Sequence, residues 1–491
     1  MIRPWMMALL LAPAALRAQA EGACAPARDE ASAAVWLART DSAFHLPAGL
    51  VFRWESATHV VNDYQSDRTY PPYLSAYYAE RGWYAPASGA VRFEAQMTWP
   101  GQGPGPWPTV LAGPAATWMV RDTQTLPMPP LHRTGQRQRT LLPWTVVADW
   151  RRAGDARVEG RCVYRDYPRV VLVRGTGPAV ERLYLDPKTA LPVALRREEP
   201  HYLWGQQDVA YVWTNWDRGA AGELLPTTIA RMVDGEMETG RTVGTYGWVA
   251  PDSAPALALP DPALVMTVPV DAFLQPTPPD TIRVGPTVAL LRNRGYTEGA
   301  VLARDTVWVL DATQGEARAR ADSAAIAALF PGRHPVAVIV TDLAWPHVAG
   351  VRFWVARGAT IVSHRASAAF LQRVVARRWT REPDLLERER RAGRAPRLRF
   401  RAVNDSLALA GGALTLHAID GIASEGALVA WVPGERFLWA SDYIQTVRQP
   451  TEYAAEVRAA AQRAGLRPER VAAEHLPLTP WATVEALFAA P

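Results

Sequence analysis

The chain has 491 residues, nearly half of them apolar, with 20 tryptophans, so it can build a large buried core over two or three domains. Its formal net charge is +5, and Lys188 is the single lysine among its basic residues. That small excess excludes a nucleic-acid footprint. The densest basic run, 388–401, is interleaved with Glu and broken by Gly393 and Pro396, the pattern of a solvated helix end and loop.

Arg3 gives a short positive start, Met6 to Leu16 an apolar run interrupted by Pro13, and Ala18-Gln19-Ala20 a small-x-small cleavage site before Glu21. This is the pattern of a secretory signal peptide over 1–20, too short to span a bilayer, and it predicts a secreted or periplasmic mature protein. No later apolar run is long enough for a membrane span. Ala20-Glu21-Gly22-Ala23, ahead of Cys24, makes a poor lipid-attachment box. In an exported chain Cys24 and Cys162 can pair, and a buried free thiol at Cys162 is the other reading. Their spacing is not a metal motif.

Residues 21–250 read as a β-rich domain. A short helix is expected over Glu30 to Ala38. Strands are expected over 91–97, 156–164, 170–174, 181–185, 193–197, 209–214 and 227–233, with hairpin signals at Asp186-Pro187 and Asp234-Gly235. Alternation in Tyr211-Val212-Trp213 favours an antiparallel sheet. YLDPKTALPVAL, VAYVWTNW and LLPTTIARMVDG look like the β-rich module ahead of some secreted metallo-β-lactamase-fold proteins. By pattern, the sheet also resembles the curved sheet of bacterial lipoprotein-carrier proteins. Such a sheet has one concave apolar face, which either cradles an acyl chain or hydrophobic peptide or is simply core; the core reading is favoured. Residues 251–281, rich in proline and ending near Pro276-Thr277-Pro278-Pro279, read as an extended linker.

The C-terminal half, 282–491, carries the chemistry. An apolar strand, Val336 to Val340, runs into Thr341-Asp342. An amphipathic helix follows from about Val348 to before Gly358, then a short strand over Ala359 to Val362. Asp311 ends the apolar run Thr306 to Leu310. Gly426 to Asp442 reads as strand, Pro-Gly turn and strand ending in an acid, and Glu474-His475-Leu476-Pro477 lies near the C-terminus.

This layout resembles the His-x-His-x-Asp-His segment of the metallo-β-lactamase fold superfamily and implies an α+β fold, an αββα four-layer sandwich behind the antiparallel β domain. Laid over that signature, Asp342 and Ala344 stand where the first two imidazoles belong and Pro346 where the acid belongs, and His347 is the one survivor. Ala349-Gly350 replaces the usual Gly-Gly. The resemblance makes Asp311 a structural acid, Asp442 the metal-bridging acid, Ala423 a lost ligand and His475 the last ligand. Glu425 is a candidate oxygen replacement for Ala423.

His364 and His417 read as strand-end and strand-edge histidines. The implied three-His site is gone. His347, Asp442 and His475 remain, two imidazoles and a carboxylate, a set that suits one zinc or iron. Two expectations follow. The first is a relative without catalysis, metal-free and serving as a binding or scaffolding protein for a small molecule or protein. The second is a single-metal hydrolase of an ester, thioester or lactam, with Asp342 positioning water or acting as base.

Overall fold

In the computed structural model, residues 24–26, 30–61, 76–98, 104–121, 124–127, 133–201, 203–260, 278–293, 295–419, 421 and 426–489 are described. The expected signal segment lies outside them, as do Ala423 and Glu425. Among the described residues no helix is long and apolar enough to cross a membrane.

Residues 24–249 form a 14-stranded antiparallel sheet in which almost every strand pairs with its sequence neighbour. All seven expected strands are present, most of them longer than their apolar cores. Gly205–Arg218, for example, extends past the alternating 209–214 into exposed polar residues. Asp234-Gly235 turns the chain with positive φ at both residues, as a two-residue hairpin requires.

One face of this sheet is covered by the helices Ala33–Phe44 and Pro143–Ala153. Trp36, Phe44, Trp144 and Trp150 fill the space against Trp54, Tyr211 and Trp213 of the strands. The ring of Phe52 meets that of Trp144 edge-on at 4.8 Å. Each such buried side chain stabilises by about 1.5–3 kcal/mol, so this apolar face is core. The short strand Cys24–Pro26 pairs with Arg157–Tyr164 in a register that places Cys24 opposite Cys162, and the two form a disulfide.

Of the expected linker, 251–253 is a short helical turn, Leu257 and Leu259 pack beside Leu111 and Trp118, and 261–277 lie outside the described residues. A seven-stranded sheet begins at Asp280. Its strands Thr306–Leu310, Val336–Val340, Thr360–His364 and Arg399–Val403 run parallel. A six-stranded sheet follows, in which Phe437–Trp439 lies parallel to Arg470–Ala472.

Three apolar clusters hold this half together. One joins the first sheet to the helices Glu316–Leu329, Val351–Ala356 and Ala368–Ala376. A second lies between residues of the two sheets, and a third joins the second sheet to the helices Glu452–Arg463 and Trp481–Ala486. The two halves touch where Leu203 and Trp204 enter the first of these clusters and Arg377 donates to the Trp204 carbonyl at 2.9 Å.

The single helix expected from Val348 is two, Trp345–Val348 and Val351–Ala356. Gly350 marks the break: a Cβ there would lie 3.1 Å from the Ala312 carbonyl oxygen, and its N–H donates to that oxygen at 2.7 Å. Pro346 falls in the first helical turn, where its missing N–H has no intrahelical partner to lose.

Candidate metal centre

The site assembles where parallel strands end, the usual place for ligand loops in parallel sheets. Asp311 follows Thr306–Leu310, Thr341 and Asp342 follow Val336–Val340, Ser441 and Asp442 follow Phe437–Trp439, and Glu474 and His475 follow Arg470–Ala472. The loops are pinned to one another through the backbone. Ala312 N–H donates to the His347 carbonyl at 2.9 Å, Gln314 N–H to that of Pro346 at 2.7 Å, and Glu474 N–H to that of Ser441 at 3.0 Å. Asp311, Gln314 and Ser441 all adopt positive φ. Such conformations cost about 1–3 kcal/mol each and persist where surrounding contacts fix them, commonly at functional sites.

Asp342 and His347 form the centre of the constellation. Nδ1 of His347 lies 2.8 and 3.0 Å from the two carboxylate oxygens of Asp342. Asp342 also accepts from Ala344 N–H at 2.8 Å and from the Ser441 hydroxyl at 2.5 Å. On the far side of the ring, Nε2 lies 2.5 Å from Oε2 of Glu474.

Behind Asp342 runs a chain of hydroxyls. Thr341 Oγ1 lies 2.5 Å from Asp311 and 2.8 Å from Ser441 Oγ, and Asp311 also accepts from the Trp439 indole at 2.8 Å. The links Asp311–Thr341, Thr341–Ser441 and Ser441–Asp342 need three protons, and the two hydroxyls carry only two. Burial and the neighbouring Asp342 push the Asp311 carboxyl up to about 7, in the range where a buried acid can carry that third proton.

Burial opposes a charged Asp342, but His347, Ser441 and the Ala344 N–H together hold it below the ordinary carboxylate range. Burial likewise opposes an imidazolium at His347, yet Asp342, Glu474 and Asp442 raise it well above the ordinary histidine value. Glu474 is raised well above the usual range by burial, with Asp311 and Asp342 adding to the shift against His347. Asp442 is raised by burial and by Asp342, against His347 and His475.

His347, Asp442 and His475 come together, each offering a donor atom within 4.8 Å of the others. Asp342, His347 and Glu474 form a second, fully buried triad by the same measure. The first triad opens to solvent, with the side chains of Asp442 and His475 22% and 31% exposed. Nδ1 of His475 lies 3.1 Å from the Gly295 carbonyl, and Gln445 donates to both oxygens of Asp442 at 2.9 Å. The ring of Tyr296 covers His475, with centroids 4.8 Å apart. Both imidazoles therefore have Nδ1 held by an acceptor and Nε2 turned toward a carboxylate, His347 toward Glu474 at 2.5 Å and His475 toward Asp442 at 3.5 Å, and Nδ1 held in this way is common among metal-binding histidines.

Asp342, expected from the sequence to position water or act as base, lies buried with its oxygens taken by His347, Ser441 and Ala344. Its geometry is that of a group that orients His347. His364 accepts the Ala366 N–H at a strand end, and His417 lies 3.0 Å from Thr415 Oγ1 on Leu414–Ala418; neither joins the site.

Sequence reasoning assigned no role to Glu474, Ser441, Thr341, Gln445 or Tyr296. For Glu474 a signal was present: an acid beside the candidate ligand His475, directly after the apolar Val471-Ala472-Ala473.

No known family model matches the chain, and no curated protein does. Among solved structures, the chain overlaps the DIM-1 metallo-β-lactamase at 10% identity and a TM-score of 0.32, over 43% of this chain and 95% of that one. TMB-1 overlaps at 13% identity and 0.31, over 43% and 95%. A metallo-β-lactamase from Pontibacter korlensis does so at 11% identity and 0.31, over 43% and 97%. Overlaps of this size carry no argument of their own, so the functional reading rests on the chain's topology and donor groups.

Proposed function

We propose that residues 282–491 form an αββα metallo-β-lactamase-like domain, exported behind a cleaved signal peptide and an N-terminal β domain. We propose further that its centre holds one divalent ion, zinc or iron, on His347, Asp442 and His475, and that the domain is a single-metal hydrolase of an ester, thioester or lactam. The convergence of these three donors, with both histidines oriented through Nδ1, carries the reading. The donors also suit a cation on charge: four clustered carboxyls face two imidazoles, and no arginine pairs with any of the four among the described residues.

A divalent ion held there would supply Lewis acidity and an activated water near neutral pH. The protein's own groups do the rest. Asp342 fixes the tautomer and aim of His347, the Gly295 carbonyl does the same for His475, and Gln445 braces Asp442. A cavity of about 270 Å³ opens beside Gln445, lined by Tyr443, Thr446, Thr451 and Tyr453 and by Pro104 and Gly105 of the N-terminal half. Among the described residues its lining has no charged side chain, so it suits a neutral acyl or leaving group.

One observation favours a second reading, a binding or scaffolding relative without catalysis. Ala344 stands where an imidazole would help to build a second metal position. Chromogenic ester, thioester and lactam substrates presented to the metal-loaded protein separate the two. Turnover that disappears in His475→Ala supports the hydrolase, whereas bound metal without turnover of any substrate supports the binding protein.

A further inference from the structure

We propose that Glu474 is a further ligand of the same ion, so that two imidazoles and two carboxylates hold it. The inference rests on the single-metal reading above. Glu474 is fully buried, and among the described residues its carboxyl meets no donor other than the His347 ring. An acid in that condition is costly unless a cation or donor meets it. The atom nearest Oε2 among its charged neighbours is Nε2 of His347 at 2.5 Å, the nitrogen that the metal reading makes a ligand. The two groups thus share one buried donor cluster with Asp342, and an ion there would take the place of the proton between them.

The backbone of Glu474 is fixed on both sides. Its N–H donates to the Ser441 carbonyl at 3.0 Å, and its carbonyl accepts from Thr297 N–H at 2.8 Å. These two bonds fix the chain at position 474, and His347 is common to the cluster that holds Glu474 and to the triad that holds Asp442 and His475. The chemistry is compensatory. Positions 342 and 344 no longer offer imidazole, and a carboxylate from the far side of the site supplies the missing donor. A set with two carboxylates is harder than a histidine-rich one, which would move preference toward manganese or iron.

The test titrates Mn²⁺, Co²⁺ and Zn²⁺ separately into the chelator-stripped full chain and into Glu474→Gln, Glu474→Asp and His475→Ala. Affinity is read by calorimetry and the ligand field by the visible spectrum of the Co²⁺ form. Glu474→Gln is expected to weaken Co²⁺ and Mn²⁺ binding by at least about 10–100-fold and to change the Co²⁺ spectrum, while the stripped variant melts no lower than the wild type. Glu474→Asp keeps the charge at a shorter reach and is expected to bind with intermediate affinity and a shifted spectrum; it also serves if the Gln variant does not fold. Wild-type affinity and spectrum in either variant overturn the inference, and loss of binding in His475→Ala then leaves the single-metal reading standing. Failure of the wild type to bind any of the three ions overturns both.

Discussion

The N-terminal sheet and the C-terminal site both bury acids, but they treat them differently. In the sheet, Glu80 accepts from Arg241 at 2.8 Å and from Ser56 and Thr58 at 2.9 Å, and Glu199 accepts from Arg231 at 2.9 Å and Arg197 at 3.0 Å. Arg231 also pairs with Glu238. Each of these three acids meets a guanidinium, so the charge closes within the protein. In the site, Asp311, Asp342, Asp442 and Glu474 share two histidines and, among the described residues, no arginine. Balanced burial of this kind holds a sheet together, while unbalanced burial leaves a place for a cation or for extra protons.

Replacing the shared donor is the most damaging way to probe this difference. His347→Ala removes the imidazole that Asp342 and Glu474 share and is expected to destabilise the fold by about 3–5 kcal/mol as well as abolish metal binding, measured by urea unfolding and metal titration. Arg241→Met orphans Glu80 and is expected to cost a similar amount, about 3–5 kcal/mol, with metal affinity unchanged. A change in metal affinity in that variant would break the separation between the two regions.

Next in size is removal of the ion. Stripping a protein held at roughly 100 times the dissociation constant is expected to lower stability by about 2.7 kcal/mol, read as a fall in Tm on adding chelator. Smaller still, Gln445→Leu removes the brace on Asp442 and is expected to weaken metal binding by about 10–100-fold with little change in the stripped protein.

The pH dependence sharpens the contrast further. Asp311 is pushed up to about 7, and Glu474 and Asp442 are also raised, so between the ordinary carboxylate range and about pH 7 the folded, metal-free protein binds more protons than the unfolded chain. Its stability should fall as pH rises through that window. His347, raised above its ordinary value, acts in the same direction. Asp342, lowered, contributes stability that is lost only as pH falls below the usual carboxylate range. Metal binding displaces those protons, so affinity should rise over the same window. Urea unfolding of stripped and loaded protein at pH 5 to 8 checks both slopes.

Much of the C-terminal framework was legible because its signals are local. Val336–Val340 is a continuous apolar run ending in Thr-Asp, and Asp311 caps another, as parallel strands buried on both faces do. The convergence of His347, Asp442 and His475 was expected only through the family resemblance, since the three lie far apart in the chain. Glu474 was not legible as a site residue. Its place depends on Arg470–Ala472 lying beside Phe437–Trp439, a pairing that no local pattern announces. The break at Gly350 was missed for the same reason, because the carbonyl that requires it belongs to Ala312 on another loop. The Cys24–Cys162 alternatives stayed open until the short first strand found its register.

Elemental mass spectrometry of the purified mature protein, beside a His347→Ala, His475→Ala double variant, tests the central claim most directly. The account predicts about one equivalent of a divalent transition metal in the native protein and none in the variant. A native protein that holds no metal after reconstitution with excess zinc, iron and manganese would contradict it.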